Sequence, residues 1–310
     1  MKKMEKEEIR KRLRDIVSSF INYMEIVLPD DVERKLFELE SCETGPLQRA
    51  LYEAMRKNQE RAYALSRPSC QDTGIIQFWL RCGSSFPGLS VLEEALREAV
   101  GKSTLTLPLR PNTVETFSEY NTGSNIASGA PTIWWDIIPD SSDCVLYAYA
   151  AGGGCSLPGS AKVLMPGEGY EGIADFVIDQ TAQYGPNACP PLFVGVGVAN
   201  SSETAALNAK KALMRPLGSH NENEKAAEME MLLEKELNTL NIGPQGLGGE
   251  RSVMGVNIVS SARHPATLGV AVAYGCWSFR RGMITIKADL TQESTTHPRF
   301  RYRGDDDGRV

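Results

Sequence analysis

The hydrophobic period changes along the chain, and that change limits the fold more than any single motif. Through about residue 65, apolar residues recur every three or four positions. Ile9, Leu13, Ile16, Phe20, Met24 and Val27 form one such stripe, which Pro29 ends. A second helix is expected from Asp30. A third is expected from Pro46 through Leu47, Leu51, Met55 and Ala62, stopping before Pro68. Stripes of this kind pack cores. Beyond them, short apolar runs predict strands over 75–80, 192–198, 253–260, 268–274 and 283–288. Runs 133–138 and 145–150, joined by Pro139-Asp-Ser-Ser-Asp143, predict a hairpin. Ser90-Val-Leu-Glu93 reads as a capping box opening a helix to about Val100. Further helices are expected over 173–184, 202–214 and 226–240, the last stopped by Gly243-Pro244. The pattern is α+β: a helical N-terminal segment, 1–65, followed by mixed strands and helices in one domain over 1–290. Residues 291–310 read as a loose polar C-terminal tail ending in RGDDDGRV. No repeat and no clear internal linker is visible.

Charge and composition narrow the function. Lys and Arg number 33 against 39 Asp and Glu, a net charge of −6, which argues against nucleic acid as a partner. No apolar run approaches the ~18 residues of a membrane span. The start, MKKMEKEEIRKRLRD, is too charged for a signal peptide, so a cytoplasmic location is expected. In that reducing compartment the seven cysteines suggest thiols or metal ligands more than disulfides.

Three of them stand in glycine- and proline-rich settings beside expected strands: Cys70 in PSCQDTG, Cys189 in GPNACPP and Cys276 in YGCW. Turns let side chains leave a sheet and converge, and Cys-Pro recurs among iron–sulfur ligands. No CxxC pair is present, so three buried small hydrophobes are the competing reading. Cys42, Cys82 and Cys144 read as packing or surface thiols, and Cys155 lies in a less constrained setting. Asp72 would place a carboxylate beside a cluster, or close an Asx-turn with Gly74. His264, in the loop SARHP, suits a proton carrier or a structural role. Gly152–Gly154 suit an anion nest or a tight turn. Arg110, flanked by prolines, suits a bidentate carboxylate clamp or a surface cation. GVGVAN at 195–200 is half of a dinucleotide fingerprint. It has Asn200 where the third glycine belongs and no clear acid ~20 residues on, which disfavours nicotinamide binding.

CQDTG at 70–74, AGGGCSLPGSAKVLMP at 151–166, NACPP at 187–191, KKALMRPLG at 210–218, NIGPQGLGG at 241–249, ARHP at 262–265 and GCW at 275–277 occur in order. Together they resemble the class I, iron–sulfur-dependent fumarases, a group that includes tartrate dehydratases. The resemblance spans about residues 5–290. It implies that Cys70, Cys189 and Cys276 hold a [4Fe–4S] cluster with one iron lacking a protein ligand. It implies substrate contacts at Gln71, Asp72, Arg110, Gly153 and His264, with His264 or Asp72 as proton donor. It further implies a cytoplasmic hydro-lyase alpha subunit that takes its remaining contacts from a beta subunit in an α2β2 heterotetramer. The likeness over 210–265 is closer to the tartrate-dehydrating members, which points to L(+)-tartrate going to oxaloacetate and water. Fumarate/malate is the alternative. A Cys-His hydrolase without iron and a non-catalytic iron–sulfur subunit are the competing classes.

Overall fold

A computed structural model describes residues 5–302 and 304. Three helices come first: α1 (Lys6–Ile26), α2 (Asp30–Cys42) and α3 (Pro46–Leu65). Then follow β1 (Ile75–Gly83), α4 (Leu92–Thr106), β2 (Thr132–Ile138), β3 (Cys144–Ala151), the single turn α5 (Gly153–Ser156) and β4 (Ser160–Leu164). The remaining elements are α6 (Gly169–Tyr184), β5 (Leu192–Ala199), α7 (Ser202–Met214), α8 (Glu224–Thr239), β6 (Val253–Ser260), β7 (Leu268–Gly275), β8 (Arg281–Ile286) and β9 (Gln292–Ser294). The class is α+β, with the helical lead-in and mixed sheets that the period change predicts. The chain forms two compact units, neither continuous in sequence. One comprises Met1–Asp30, Asn58–Gly152 and Arg280–Val310; the other comprises Asp31–Lys57 and Gly153–Phe279.

The first unit holds a five-stranded sheet in the order β2-β1-β3-β8-β9. Alternation along β1 turns Ile76, Phe78 and Leu80 into the core. Trp79 lies on the opposite face, stacked on Tyr147 with ring centroids 4.6 Å apart. The α1 stripe delivers Leu13, Ile16, Phe20 and Met24, all fully buried, and α4 adds Ala95, Leu96 and Ala99 to the same core. The expected hairpin does not form. β2 and β3 lie on either side of β1, β2 parallel to it and β3 antiparallel. The five linking residues therefore cross one intervening strand, roughly two spacings of ~4.8 Å, instead of closing a tight turn. The Ser90 capping box is also absent. Residues 89–91 form a 3₁₀ turn that runs directly into α4, whose N-cap is Val91 without a side-chain cap. Nor is the tail loose where it is described. β9 pairs with β8, and His297, Phe300 and Tyr302 are buried. Of RGDDDGRV, only Gly304 falls within the described residues.

The second unit holds a four-stranded sheet in the order β4-β7-β5-β6, with β5–β6 parallel and the other pairs antiparallel. β4 is an edge strand that periodicity did not reveal; three of its five residues are exposed. Val194 and Val196 of β5 share a core with Ile173 and Val177 of α6 and with Leu233 and Leu237 of α8. The alternate residues Gly195 and Gly197 face α7. With helices on both faces, β5 reads as an unbroken apolar run. Among the described residues no helix is long and apolar enough to cross a membrane.

Candidate active site

In the first unit the CQDTG loop enters β1 and is stitched to the PLRPN loop. The Gly74 N–H donates to Asp72 Oδ1 at 3.0 Å, which closes the Asx-turn. Asn112 Nδ2 donates to the same oxygen at 3.2 Å and to the Gly74 carbonyl at 3.1 Å. The Arg110 N–H donates to Thr73 Oγ1 at 3.0 Å, and the Arg110 carbonyl accepts from Asn125 Nδ2 at 2.9 Å. The loops that carry Asp72 and Arg110 are thus tied together through Thr73 and Asn112, while Gln71 and Arg110 are exposed. Gly74 is required here. Its φ is +69°, and a Cβ would stand 2.8 Å from the Ala151 backbone. The Asx-turn that the sequence allowed is formed.

Beneath that loop lies a group that sequence reasoning missed. Arg280 Nη1 donates to Glu25 Oε2 at 2.6 Å, and Arg280 Nη2 donates to the Asp72 carbonyl at 2.6 Å. Glu25 is fully buried and Arg280 2% exposed. Burial pushes the Glu25 carboxyl up to about 6, against the pull of Arg280. The one available signal was a charged residue at position 25, inside the apolar stripe of α1.

In the second unit Cys189 has left-handed backbone, φ 55° and ψ 62°, at the end of the 3₁₀ turn Gly185–Ala188. Its carbonyl accepts from the Trp277 N–H at 3.1 Å, so the Cys189 and Cys276 loops are joined. The Gln245 N–H donates to the Pro190 carbonyl at 2.9 Å and buttresses them from the NIGPQGLGG segment. His264 sits in the exposed loop between β6 and β7. Its N–H donates to Asn200 Oδ1 at 2.8 Å, and Arg263 Nη1 donates to the carbonyls of His264, Pro265 and Thr267. Nδ1 accepts the Ala266 N–H at 3.1 Å, which assigns the neutral ring's proton to Nε2. A cavity of about 510 Å³ opens beside this loop, lined in part by Tyr170, Lys225, Met229, Ser261 and Arg263.

The glycine run turns into a short helix. Gly153 opens the single turn α5. Gly195 and Gly197, the glycines of the half-fingerprint, pack against α7, and a Cβ on Gly197 would run into the Ala205 carbonyl.

The cysteines differ in burial. Cys70 and Cys276 are partly exposed and Cys189 exposed, so none of the three is a core hydrophobe. Cys82, Cys144 and Cys155 are buried, and Cys42 is a surface residue. Cys70 belongs to one unit and the Cys189–Cys276 pair to the other. Among the described residues no group of three or more His, Cys, Asp or Glu side chains forms a ready metal site. The donor chemistry still suits an iron–sulfur cluster: thiols on accessible loops, held at the backbone.

The family model for fumarate hydratase (Fumerase) matches residues 14–285. The chain belongs to that family, and it is a hydro-lyase. It is 50% identical over 299 residues, 96% of this chain and 99% of the relative, to the L(+)-tartrate dehydratase subunit alpha of Escherichia coli (strain K12). The same figures hold for the protein of that name from Shigella boydii serotype 4 (strain Sb227). A protein of Methanocaldococcus jannaschii, provisionally given the same name, is 32% identical over 90% of this chain and 99% of its own.

Proposed function

We propose that this chain is the cytoplasmic alpha subunit of an iron–sulfur hydro-lyase that dehydrates L(+)-tartrate to oxaloacetate and water, working with a beta subunit in an α2β2 assembly. The observation that carries the substrate is the 50% identity, over nearly all of both chains, to proteins named L(+)-tartrate dehydratase subunit alpha. That name also supports the partner. Cys70, Cys189 and Cys276 would hold a [4Fe–4S] cluster with one iron lacking a protein ligand. When bound, the cluster supplies a Lewis acid for the leaving hydroxyl and one substrate carboxylate.

The chain's own residues do the rest. Arg110 presents an exposed guanidinium from a backbone pinned at both its N–H and its carbonyl, and takes a carboxylate bidentately. Gln71 and Gly153 line the substrate. His264 or Asp72 gives a proton to the departing hydroxyl. The base that removes the neighbouring carbon's proton, and the second carboxylate clamp, come from the beta subunit. The enol so formed tautomerises to oxaloacetate unaided.

The family description itself favours a second reading, fumarate/malate. An anaerobic assay of the reconstituted complex with L(+)-, D(−)- and meso-tartrate, malate and fumarate separates the two. L(+)-tartrate should give the highest kcat/KM. A site that hydrogen-bonds the second hydroxyl can discriminate against malate by ~10⁴. Values for malate or fumarate well above that for L(+)-tartrate would reassign the substrate.

A further inference from the structure

We propose that Glu25 and Arg280 are positioning residues for the loop that carries Cys70, Gln71 and Asp72, gripping it on both sides of Cys70. The proposal rests on the reading of those three residues as site residues. On one side, the Glu25 backbone carbonyl accepts from the Ser69 N–H at 2.8 Å and from Ser69 Oγ at 3.1 Å. This carbonyl belongs to the last turn of α1, where helical partners run out. On the other side, the Glu25 carboxylate holds Arg280, and Arg280 holds the Asp72 carbonyl, both at 2.6 Å. One residue of α1 therefore fixes the positions immediately before Cys70 and two beyond it. Asn58 Nδ2 adds a third point by donating to the Ser69 carbonyl at 2.7 Å.

The chemistry of the pair argues against a purely stabilising role. A buried ion pair contributes little over apolar residues of the same volume, because desolvation offsets the attraction. Here Glu25 Oε1 is also buried without a hydrogen-bond partner among the described residues, a further cost to the fold. What the pair supplies is direction. A planar guanidinium spans a carboxylate and a carbonyl with its two terminal nitrogens, and an ammonium on a lysine stem does not reproduce that fork. Arg280 also follows Cys276 by only four residues in sequence.

The first test uses the full chain, iron-free and anaerobic, so that it reads the loop and not turnover. Alkylation of Cys70 by iodoacetamide is followed by mass spectrometry, with Cys189 as internal reference, alongside amide exchange over residues 69–74. Arg280→Lys and Glu25→Gln should label Cys70 about tenfold faster and lose protection over 69–74, as expected when a local opening becomes easier, with Cys189 unchanged. If either single variant fails to fold, the double variant Glu25→Met with Arg280→Met replaces the pair by apolar groups and should show the same acceleration. In the cluster-loaded complex, Arg280→Lys should lower kcat by up to ~10², the cost of a small misplacement, with a smaller change in KM. Wild-type Cys70 labelling and exchange in these variants would overturn the proposal. The functional reading fails separately, if Cys70→Ser keeps iron and activity; the labelling result is independent of that outcome.

Discussion

Two backbone N–H groups decide what two side chains can do. The Ala266 N–H occupies His264 Nδ1, and the Gly74 N–H occupies Asp72 Oδ1. The first leaves the imidazole with one defined donor, Nε2. His264→Asn keeps the approximate size but removes the titrating proton. It should lower kcat by ~10²–10⁴, the usual worth of a general acid, while the absorption spectrum of the cluster stays normal. Wild-type turnover would take His264 out of the chemistry. The cysteines make a parallel prediction. Ser in place of Cys70, Cys189 or Cys276 should abolish iron binding and activity, whereas Ser at Cys42, Cys82 or Cys144 should leave iron content intact; metal analysis of anaerobic preparations decides. These residues were legible because their signals are local: a thiol between turn residues, a histidine between two strands. Glu25 and Arg280 were not, since their pairing joins positions 255 apart and sequence shows only an acid out of place on an apolar stripe.

Elements read well where packing on a single period dominates. The α7 and β6 boundaries fall where the apolar pattern places them, and the stripe of α1 is buried at Leu13, Ile16, Phe20 and Met24. The failures are matters of pairing and backbone. Nothing in the residues between Ile138 and Cys144 records that β1 lies between their strands, and an edge strand such as β4, half exposed, carries no apolar run. Gly195 and Gly197 show how a motif can mislead: their spacing mimics a phosphate loop, while their job is to let α7 lie against β5. Gly197→Ala pushes a Cβ into the Ala205 carbonyl and should destabilise the second unit by about 1–3 kcal/mol, as overpacking does. Gly167→Ala, with nothing within 4 Å of its added Cβ, should stay within ~0.5 kcal/mol of wild type. Urea midpoints of the two variants test the contrast, and equal midpoints would refute it.

At the scale of the whole molecule, the proposed chemistry is incomplete in this chain. On that proposal Arg110 is the carboxylate clamp and His264 or Asp72 the acid, and no evident base stands among the described residues. The isolated chain loaded with iron and sulfide should therefore show no dehydratase turnover, and addition of the beta subunit should restore it; robust activity from the chain alone would sink that division of labour. No linker was legible because the chain passes between its two units four times, and each passage is an ordinary loop or lies within a helix. The same discontinuity governs how the molecule is made. β3 ends at Ala151, but the strand that covers its outer edge, β8, begins only at Arg281. At roughly 5–20 residues per second a ribosome needs on the order of ten seconds to bridge that interval. Throughout it the first unit's sheet stops at a bare edge, a template for pairing with another nascent chain. The second unit has its last strand, β7, earlier, at Gly275. Synthesis thus finishes the interior unit first, and the unit begun at the N-terminus closes last, when β8 arrives with Arg280 at its threshold.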